Sequence, residues 1–464
     1  MSLYTQIGSK LLFPLHERLK GHDTVNILRR IEQSQWMQAD QLEALQLSEL
    51  RRMLEQVSAS VPFYRSLFSS RQLTPQDFHS LDSLSSLPVI DKAVIRANEG
   101  EWCAAESGPL VRANTSGSSG EPLTFKLGMH RISFDIAAKW RATRWWGVDI
   151  GDREMVLWGS ALETGTQDRI RDLRDRLLRS RLVPARDLNP EYIDRILSEM
   201  RAFRPRMLFG YPSALARIAF RAKERGLAMN DLGIRVAFCT SEVLRPEWRE
   251  VIAGVFGCGV ANEYGARDAG FIARECPHGG LHVTAEELIV EIVDESGERL
   301  PPGTEGDMVV TNLAGPEFPF IRYRTGDRGI LSDKPCACGR GLPLIQSISG
   351  RANDGLIAAD GGWVHGSAIN HALREIDGLR AYRIIQESRQ LVVILLALEK
   401  PLSDAATAKL LAHVRTLLGA SVAVVIHHVD EIPPEANGKF RHIICHVQVP
   451  GPTPSASTHF QERA

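Results

Sequence analysis

Apolar positions near the start of the chain recur at the spacing of a helix. Leu42, Leu45, Leu47, Leu50, Met53 and Leu54 fall on one side with charged residues between them, as a helix buried along one face requires. The first hundred residues therefore predict a helical lead-in, broken at Ser60-Val61-Pro62-Phe63-Tyr64 because proline restricts the residue before it. From 151 to 260 short apolar runs alternate with amphipathic stretches. Met155-Val156-Leu157-Trp158, Met207-Leu208-Phe209 and Val236-Ala237-Phe238 predict buried strands, and Pro190 to Arg201 predicts a helix. Alternation of this kind predicts an α/β layered fold. From 281 to 331 the pattern changes to strands and turns. Leu288 to Val293 is followed by the turn Asp294-Glu295-Ser296-Gly297, and Pro301-Pro302-Gly303 precedes Met308-Val309-Val310, which predicts a small antiparallel β-unit.

A boundary is expected at Gly350 to Gly355. Beyond it the pattern predicts a helix over 366–377, strands over 381–386 and 390–397, a helix over 402–419 and a strand over 422–429, enough for a separate α+β domain. The proline-rich tail from Pro450 is expected to be disordered. The organisation expected is thus an N-terminal domain over 1–350, containing the helical lead-in (1–100) and the β-unit (281–350), a C-terminal domain over 351–449 and a tail over 450–464.

The chain has 464 residues, a formal net charge of -1, 44% hydrophobic and 24% charged residues. These values fit a soluble globular protein and remove the charge argument for nucleic acid or an anionic membrane as the main partner. No apolar run reaches the ~20 residues that span a bilayer, and the first residues lack a signal-peptide pattern, so a cytoplasmic location is expected. Seven cysteines, an odd number in a long chain, argue against a disulfide framework.

Two clusters carry candidate chemistry. Thr115-Ser116-Gly117-Ser118-Ser119-Gly120 contains only hydroxyl residues and glycine. Glycine lets backbone N–H groups approach an anion, and the hydroxyls add donors. It lacks the Gly-Lys-Ser/Thr ending of a Walker A loop and is not Gly-x-Ser-x-Gly; a surface linker would have the same composition. Cys276-Pro277-His278-Gly279-Gly280-Leu281-His282 and Cys336-Ala337-Cys338-Gly339-Arg340 offer three thiolates and two imidazoles. Structural zinc takes four such ligands; buried free cysteines are the alternative.

Read together, these and later segments resemble the adenylate-forming superfamily of acyl-CoA synthetases, luciferases and peptide-synthetase adenylation domains. The loop at 115–120 is similar to its phosphate loop. Asn262-Glu263-Tyr264-Gly265-Ala266-Arg267-Asp268 is similar to its Tyr-Gly-x-Thr/Ser-Glu segment, and Tyr323-Arg324-Thr325-Gly326-Asp327 to its Tyr-Arg-Thr-Gly-Asp motif. Gly350-Arg351 is similar to the hinge, and Gly438-Lys439-Phe440-Arg441 to the C-terminal Gly-Lys-x-Arg motif. The pairing of Cys…Gly-Leu-His with Cys-x-Cys-Gly-Arg resembles the phenylacetate–CoA ligase branch and its capsule-biosynthesis relatives. Val61 to Arg65 and Leu87-Pro88-Val89-Ile90-Asp91-Lys92 look like the lead-in of the same branch.

The resemblance implies a large adenylating domain and a small mobile C-terminal lid, acting on ATP, Mg2+ and a carboxylic acid. It implies that Thr115, Ser116, Gly117, Ser118, Ser119 and Gly120 hold phosphates. Ser241, Glu242, Glu263, Tyr264 and Gly265 would line the adenine pocket, and Asp327 would accept from the ribose hydroxyls. Arg351 would touch the nucleotide, Asp268 would bind magnesium where the family usually has Glu, and Lys439 would reach the carboxylate and α-phosphate. It also implies a structural Zn2+ on Cys276, His282, Cys336 and Cys338, with His278 in reserve. CoA is the acceptor by family and an amine the rival. Departures at Asp268 and Asn353 leave room for a nucleotide-binding scaffold, and Glu121, where the family often has lysine, is expected to point away from the phosphates. Trp145-Trp146 and Gly210-Tyr211-Pro212 are read as core, with an aryl pocket as the alternative. The sequence leaves oligomeric state open, a homodimer included.

Overall fold

The structure, a computed structural model, describes residues 2–105, 107–115, 123–158, 174–185, 188–351, 355–360, 363–365, 373, 376–433 and 440–447. Two compact units result: Met1–Arg351 with Pro434–Phe440, and Ala352–Pro433 with Arg441–Ala464.

The lead-in is helical where the apolar spacing places it. The helix Ala39–Ser60 buries Leu42, Leu50, Met53 and Leu54. It stops because Val61 is extended (φ -101°, ψ 113°) before Pro62, which opens the helix Pro62–Arg71. Proline suits that first position because its missing N–H has no intrahelical partner to lose.

A ribbon of β1 (Leu110–Asn114) and β2 (Thr124–Gly128) precedes the long helix Met129–Trp145. The main sheet then forms from β3 (Glu154–Trp158), β4 (Ser180–Pro184), β5 (Met207–Gly210), β6 (Val236–Thr240) and β7 (Gly259–Ala266). It continues through β8 (Gly270–Glu275), β9 (Leu281–Val283), β10 (Leu288–Val293), β11 (Gly306–Asn312), β12 (Tyr323–Leu331) and β13 (Leu344–Arg351). Among the described residues these eleven strands run in the order β10-β11-β12-β13-β9-β8-β7-β6-β5-β3-β4. From β4 to β7 all pairs are parallel. From β7 onward they are antiparallel.

The strands from 281 onward are antiparallel, as expected, and form one half of a mixed sheet that continues the parallel strands. Hydrogen bonds from β8 to both β7 and β9 make the join, and local periodicity carries no information about pairing partners.

The join is held by buried charge. Arg131, on the inner face of Met129–Trp145, is 1% exposed. Its Nε lies 3.2 Å from Asp135 and 3.0 Å from Glu287, and its Nη2 donates to the Asp268 carbonyl at 3.4 Å. Asn312 donates to Glu287 and to the Ala269 carbonyl.

In the second unit β14 (Gly355–Ile357) pairs with β15 (Trp363–His365). A four-stranded sheet contains β16 (Leu379–Ser388), β17 (Leu391–Leu398), β18 (Ala423–His428) and β19 (Ile443–Cys445), in the order β18-β17-β16-β19. The helix Asp404–Leu418 buries Leu410, Val414 and Leu418 against it. Gln386, fully buried on β16, exchanges two side-chain hydrogen bonds with the backbone of Ile357. The expected helix over 366–377 falls largely outside the described residues, and the tail from 450 wholly so.

Burial, then the neighbouring Asp135 carboxylate, push the Glu287 carboxyl up from 4.5 to about 8. Across that window the folded chain holds a proton that the unfolded chain has released, so stability falls as pH rises. Glu287→Gln should flatten this slope by at most about 1.4 kcal/mol per pH unit. Urea unfolding across the window reads it; an unchanged slope would remove Glu287 as the cause.

Candidate functional site

The carboxyl ends of parallel strands are where α/β sheets place ligands, and the candidate residues gather there. The turn after β6 carries Ser241 and Glu242; β7 carries Glu263, Tyr264 and Gly265; the β7–β8 turn carries Asp268. Asp327 lies on β12, four strands from β7 in hydrogen-bonding order, about 19 Å across a flat sheet. Yet the Tyr264 hydroxyl donates to Asp327 Oδ2 at 2.8 Å. The antiparallel half therefore curls until β12 faces β7. Burial, with Asp327 beside it, raises the Tyr264 phenol well above its ordinary value, so it acts as a donor.

Asp268 is 4% exposed. Its Oδ2 accepts from the Tyr323 hydroxyl at 2.6 Å and lies 3.7 Å from Lys92 Nζ. Burial first, then Asp268, raise the Tyr323 phenol. Lys92 and Tyr323 were not singled out as site residues from the sequence. A parallel bridge between Ile90 and Tyr323, with Ile90 N–H on the Arg322 carbonyl at 2.9 Å, brings Lys92 to Asp268. Nothing local to residue 92 signals that contact.

Several expected site residues do structural work. The Thr115 hydroxyl accepts from Leu123 N–H at 2.9 Å, and its own N–H donates to the Leu123 carbonyl at 3.0 Å. Thr115 thus closes the neck of its loop. Ser116, Gly117, Ser118, Ser119 and Gly120 lie outside the described residues. Glu263 is 4% exposed and ion-paired with Arg274 at 2.6 Å. A Cβ on Gly265 would stand 2.6 Å from the Gly270 carbonyl oxygen, so backbone packing alone demands glycine. Ser241 is exposed with φ 69°, a left-handed backbone uncommon outside glycine and found at functional turns. Arg351 stands opposite Asp327 in the β12–β13 register.

Glu242 accepts from the Ser213 N–H at 3.1 Å and from the Phe440 N–H at 2.6 Å. Phe440 also packs its ring against Trp248, centroids 5.9 Å apart. Lys439 itself lies outside the described residues, as do Glu121 and Asn353.

The second cluster is compact. Cys276 Sγ, a nitrogen of His282, Cys336 Sγ and Cys338 Sγ all lie within 4.8 Å of one another. Cys276 and Cys336 are 3.6 Å apart, and Cys338 is 3.2 Å from His282 Nε2. Turns place them: Gly279 N–H donates to the Cys276 carbonyl, and Gly339 N–H to that of Cys336. His282 Nδ1 faces the Leu342 carbonyl at 3.4 Å, which leaves Nε2 for a metal. Burial lowers His282 to about 4, so the ring is neutral. Burial raises Cys276 to about 12. At Cys338 burial also acts upward, but the amide and guanidinium of Arg340 outweigh it and hold the thiol below its ordinary value. His278 is exposed and outside the cluster. All seven cysteines are free.

Trp145 closes over this cluster, its ring 5.4 Å from His282 and 4.6 Å beneath the Arg340 guanidinium. Trp146 donates to the Glu275 carbonyl at 3.0 Å and fills the space a side chain at Gly259 would need. Both are half-buried and pack against the core. Tyr211 is fully buried against Trp158, ring centroids 4.6 Å apart.

Comparison with known proteins gives the following. The CapK C-terminal domain family matches residues 356–446. The chain is 27% identical over 326 residues to the phenylacetate–coenzyme A ligase of Thermus thermophilus, covering 68% of this chain and 72% of that protein. It is 21% identical over 415 residues to protein CapK of Staphylococcus aureus, covering 89% and 91%. Among solved structures it is similar in fold to 2-hydroxyisobutyryl-CoA ligase in the postadenylation state, with TM-score 0.72 and 21% identity over 88% of this chain and 90% of that one.

A Cβ on Gly280 would stand 2.5 Å from Cys336 Sγ and 3.2 Å from His282 Nε2. Gly280→Ala should therefore cost about 1–3 kcal/mol by overpacking. Gly254, inside the helix Pro246–Phe256 with open space around it, should gain about 0.5–1 kcal/mol as Ala. Urea unfolding of the two variants should move in opposite directions; equal effects would refute the packing account of the cluster.

Proposed function

This chain belongs to the adenylate-forming superfamily, on the phenylacetate–CoA ligase branch near CapK, and we propose that it uses ATP to convert a carboxylic acid to an acyl-adenylate and passes the acyl group to CoA. The observation that supports this reading most directly is the hydrogen bond from Tyr264 to Asp327. It joins two motifs 63 residues apart in sequence into one surface that also includes the Asp268–Tyr323 pair.

A carboxylate oxygen forms a bond to the α-phosphorus, and the bond to pyrophosphate breaks. Both reactants are anions, so placed donors and cations dominate the barrier. The loop over 115–120 would hold the terminal phosphates, with Thr115 fixing its neck. Asp327, an acceptor of several hydrogen bonds, would take the ribose hydroxyls, releasing the Tyr264 hydroxyl or sharing it. Arg351, opposite Asp327 on the neighbouring strand, would contact the nucleotide. Ser241, Glu242 and Gly265 would border the adenine. Asp268 would hold magnesium, which takes one or two carboxylates beside phosphate oxygens and when bound spreads the phosphate charge. Lys92 at 3.7 Å now neutralises that carboxylate. Lys439 would meet the charge that develops between carboxylate and phosphate; its sequence neighbour Phe440 already rests its N–H on Glu242.

The donor set Cys276, His282, Cys336 and Cys338 fits a zinc ion. A tetrahedron with sulfur bonds of about 2.3 Å has edges of about 3.8 Å, and the cysteine pair stands at 3.6 Å. With four protein ligands no position remains for substrate, so the metal would be structural, tying the turn after β8 to the segment before β13. Metal analysis of the purified chain should find about one zinc per chain; a metal-free, stably folded chain would refute it.

A second reading keeps the adenylation and changes the acceptor to an amine. The match of the C-terminal unit to the CapK C-terminal domain, a name that specifies no acceptor, leaves this reading open beside the first.

An acid panel assayed for pyrophosphate exchange into ATP, with and without CoA, separates the readings. Exchange should appear with at least one acid, and a CoA-dependent product selects the first. Asp327→Ala should lower kcat/KM for ATP about tenfold to a hundredfold. Lys439→Ala should lower exchange about a hundredfold or more while leaving nucleotide binding intact. No exchange with any acid would sink the proposal in favour of a nucleotide-binding scaffold, and full exchange in Lys439→Ala would remove the role given to that lysine.

A further inference from the structure

The first helical segment carries its apolar residues on the wrong side for core packing. It runs without a break through Leu3–Ile7, a π-helical turn Gly8–Leu12 and Phe13–Leu19, roughly 26 Å at 1.5 Å per residue. The face turned to the protein is small, polar or aromatic. Gly8 packs against the backbone of Gly151, where a Cβ would stand 3.0 Å from Gly151 Cα. The Thr5 hydroxyl donates to Asp152 at 2.7 Å, Tyr4 donates to the Leu177 carbonyl at 2.8 Å, and Phe13 meets Trp140. Glu17, 2% exposed, is held by His16, His22 and Thr24.

The outer face is Leu3, Ile7, Leu11, Leu15 and Leu19, exposed by 75%, 42%, 61%, 54% and 79%. Their spacing of four overshoots an α-helical turn by about 40° at each step, which would wind the stripe around the helix. The wider π turn in the middle winds it back, so the residues stay aligned. A contiguous exposed apolar patch marks an interaction site.

Charge identifies the partner. Within residues 2–20 the exposed charged side chains are Lys10, Arg18 and Lys20, all cationic; the one acid, Glu17, is turned inward. An apolar stripe edged by cations is the arrangement of helices that lie in the plane of an anionic bilayer surface. A second copy of the chain fits less well, because its stripe is edged by cations as well and offers no anion to pair with them. We propose that the segment Leu3–Leu19 docks on an anionic lipid surface, its five-residue stripe entering the interface and Lys10, Arg18 and Lys20 lying against lipid phosphates. No helix among the described residues is long and apolar enough to cross a membrane, so the docking is in-plane and peripheral. It is independent of the catalytic reading above.

The test is flotation of the full chain with vesicles of phosphatidylcholine and phosphatidylglycerol, against vesicles of phosphatidylcholine alone. The chain should float with the anionic vesicles, and rising salt should release it. Leu11→Glu with Leu15→Glu should lower the bound fraction about tenfold or more with unchanged thermal unfolding, since both side chains are exposed. Lys10→Gln with Arg18→Gln and Lys20→Gln should weaken binding and flatten its salt dependence. A chain that stays with the soluble fraction, or a double variant that floats as well as the parent, overturns the proposal. So does a lipid-free dimer in sedimentation velocity that the double variant converts to monomer, which would make the stripe a self-association surface.

Discussion

The guanidinium of Arg131 sits where helix, parallel sheet and antiparallel sheet meet, and the geometry of the site depends on it. It is shared between two carboxyl groups, Asp135 on its own helix and Glu287 before β10. Its remaining reach goes to the backbone of the β7–β8 turn at Asp268. One cation facing the buried Glu287 and the half-buried Asp135 leaves a surplus negative charge, which the raised Glu287 relieves by keeping its proton. Breaking such a pair on one side leaves a buried charge uncompensated, at a cost of about 3–5 kcal/mol. The turn carrying Asp268 is thus fixed from inside the protein, and its outward carboxylate oxygen is left to Tyr323 and Lys92.

From that fixed point the curl of the antiparallel half follows. Strands β8, β9 and β13 carry the chain from β7 round to β12, and the Tyr264–Asp327 contact closes the circuit. The Cys276, His282, Cys336 and Cys338 cluster gathers beside the β9–β13 pairing of the same sheet. The N-terminal stripe stands apart, because its orientation is set by Gly8 and Thr5 on the chain around Gly151.

Much of this was legible in the sequence. The strands at Glu154–Trp158, Met207–Gly210, Val236–Thr240 and Leu288–Val293 lie where the apolar runs put them. Helix Pro190–Phe203 and the strands and helix from 379 to 428 do too. Side-chain periodicity is a local property, so it survives folding unchanged. The clustering of Cys276, His282, Cys336 and Cys338 was legible for a different reason. Thiol and imidazole are chemically distinctive, and glycine at 279, 280 and 339 marks the turns that bring them together.

Other features had no local signal. That 281–351 joins the parallel strands in one sheet depends on strand pairing, which periodicity does not encode. Lys92 reaches Asp268 only because Ile90 bridges to Tyr323, more than two hundred residues away. Glu263 and Gly265 stood inside a motif that resembles a nucleotide site, yet an Arg274 partner and a close backbone contact account for each. The apolar residues at 3, 7, 11, 15 and 19 read alike whether they face a core or solvent; the inward fit of Gly8 and Glu17 decided which. The sequence by itself determined which elements form and which chemical groups are available, because those depend on near neighbours. The tertiary structure alone decided which groups meet, because burial, strand pairing and charge compensation act between residues that are distant along the chain.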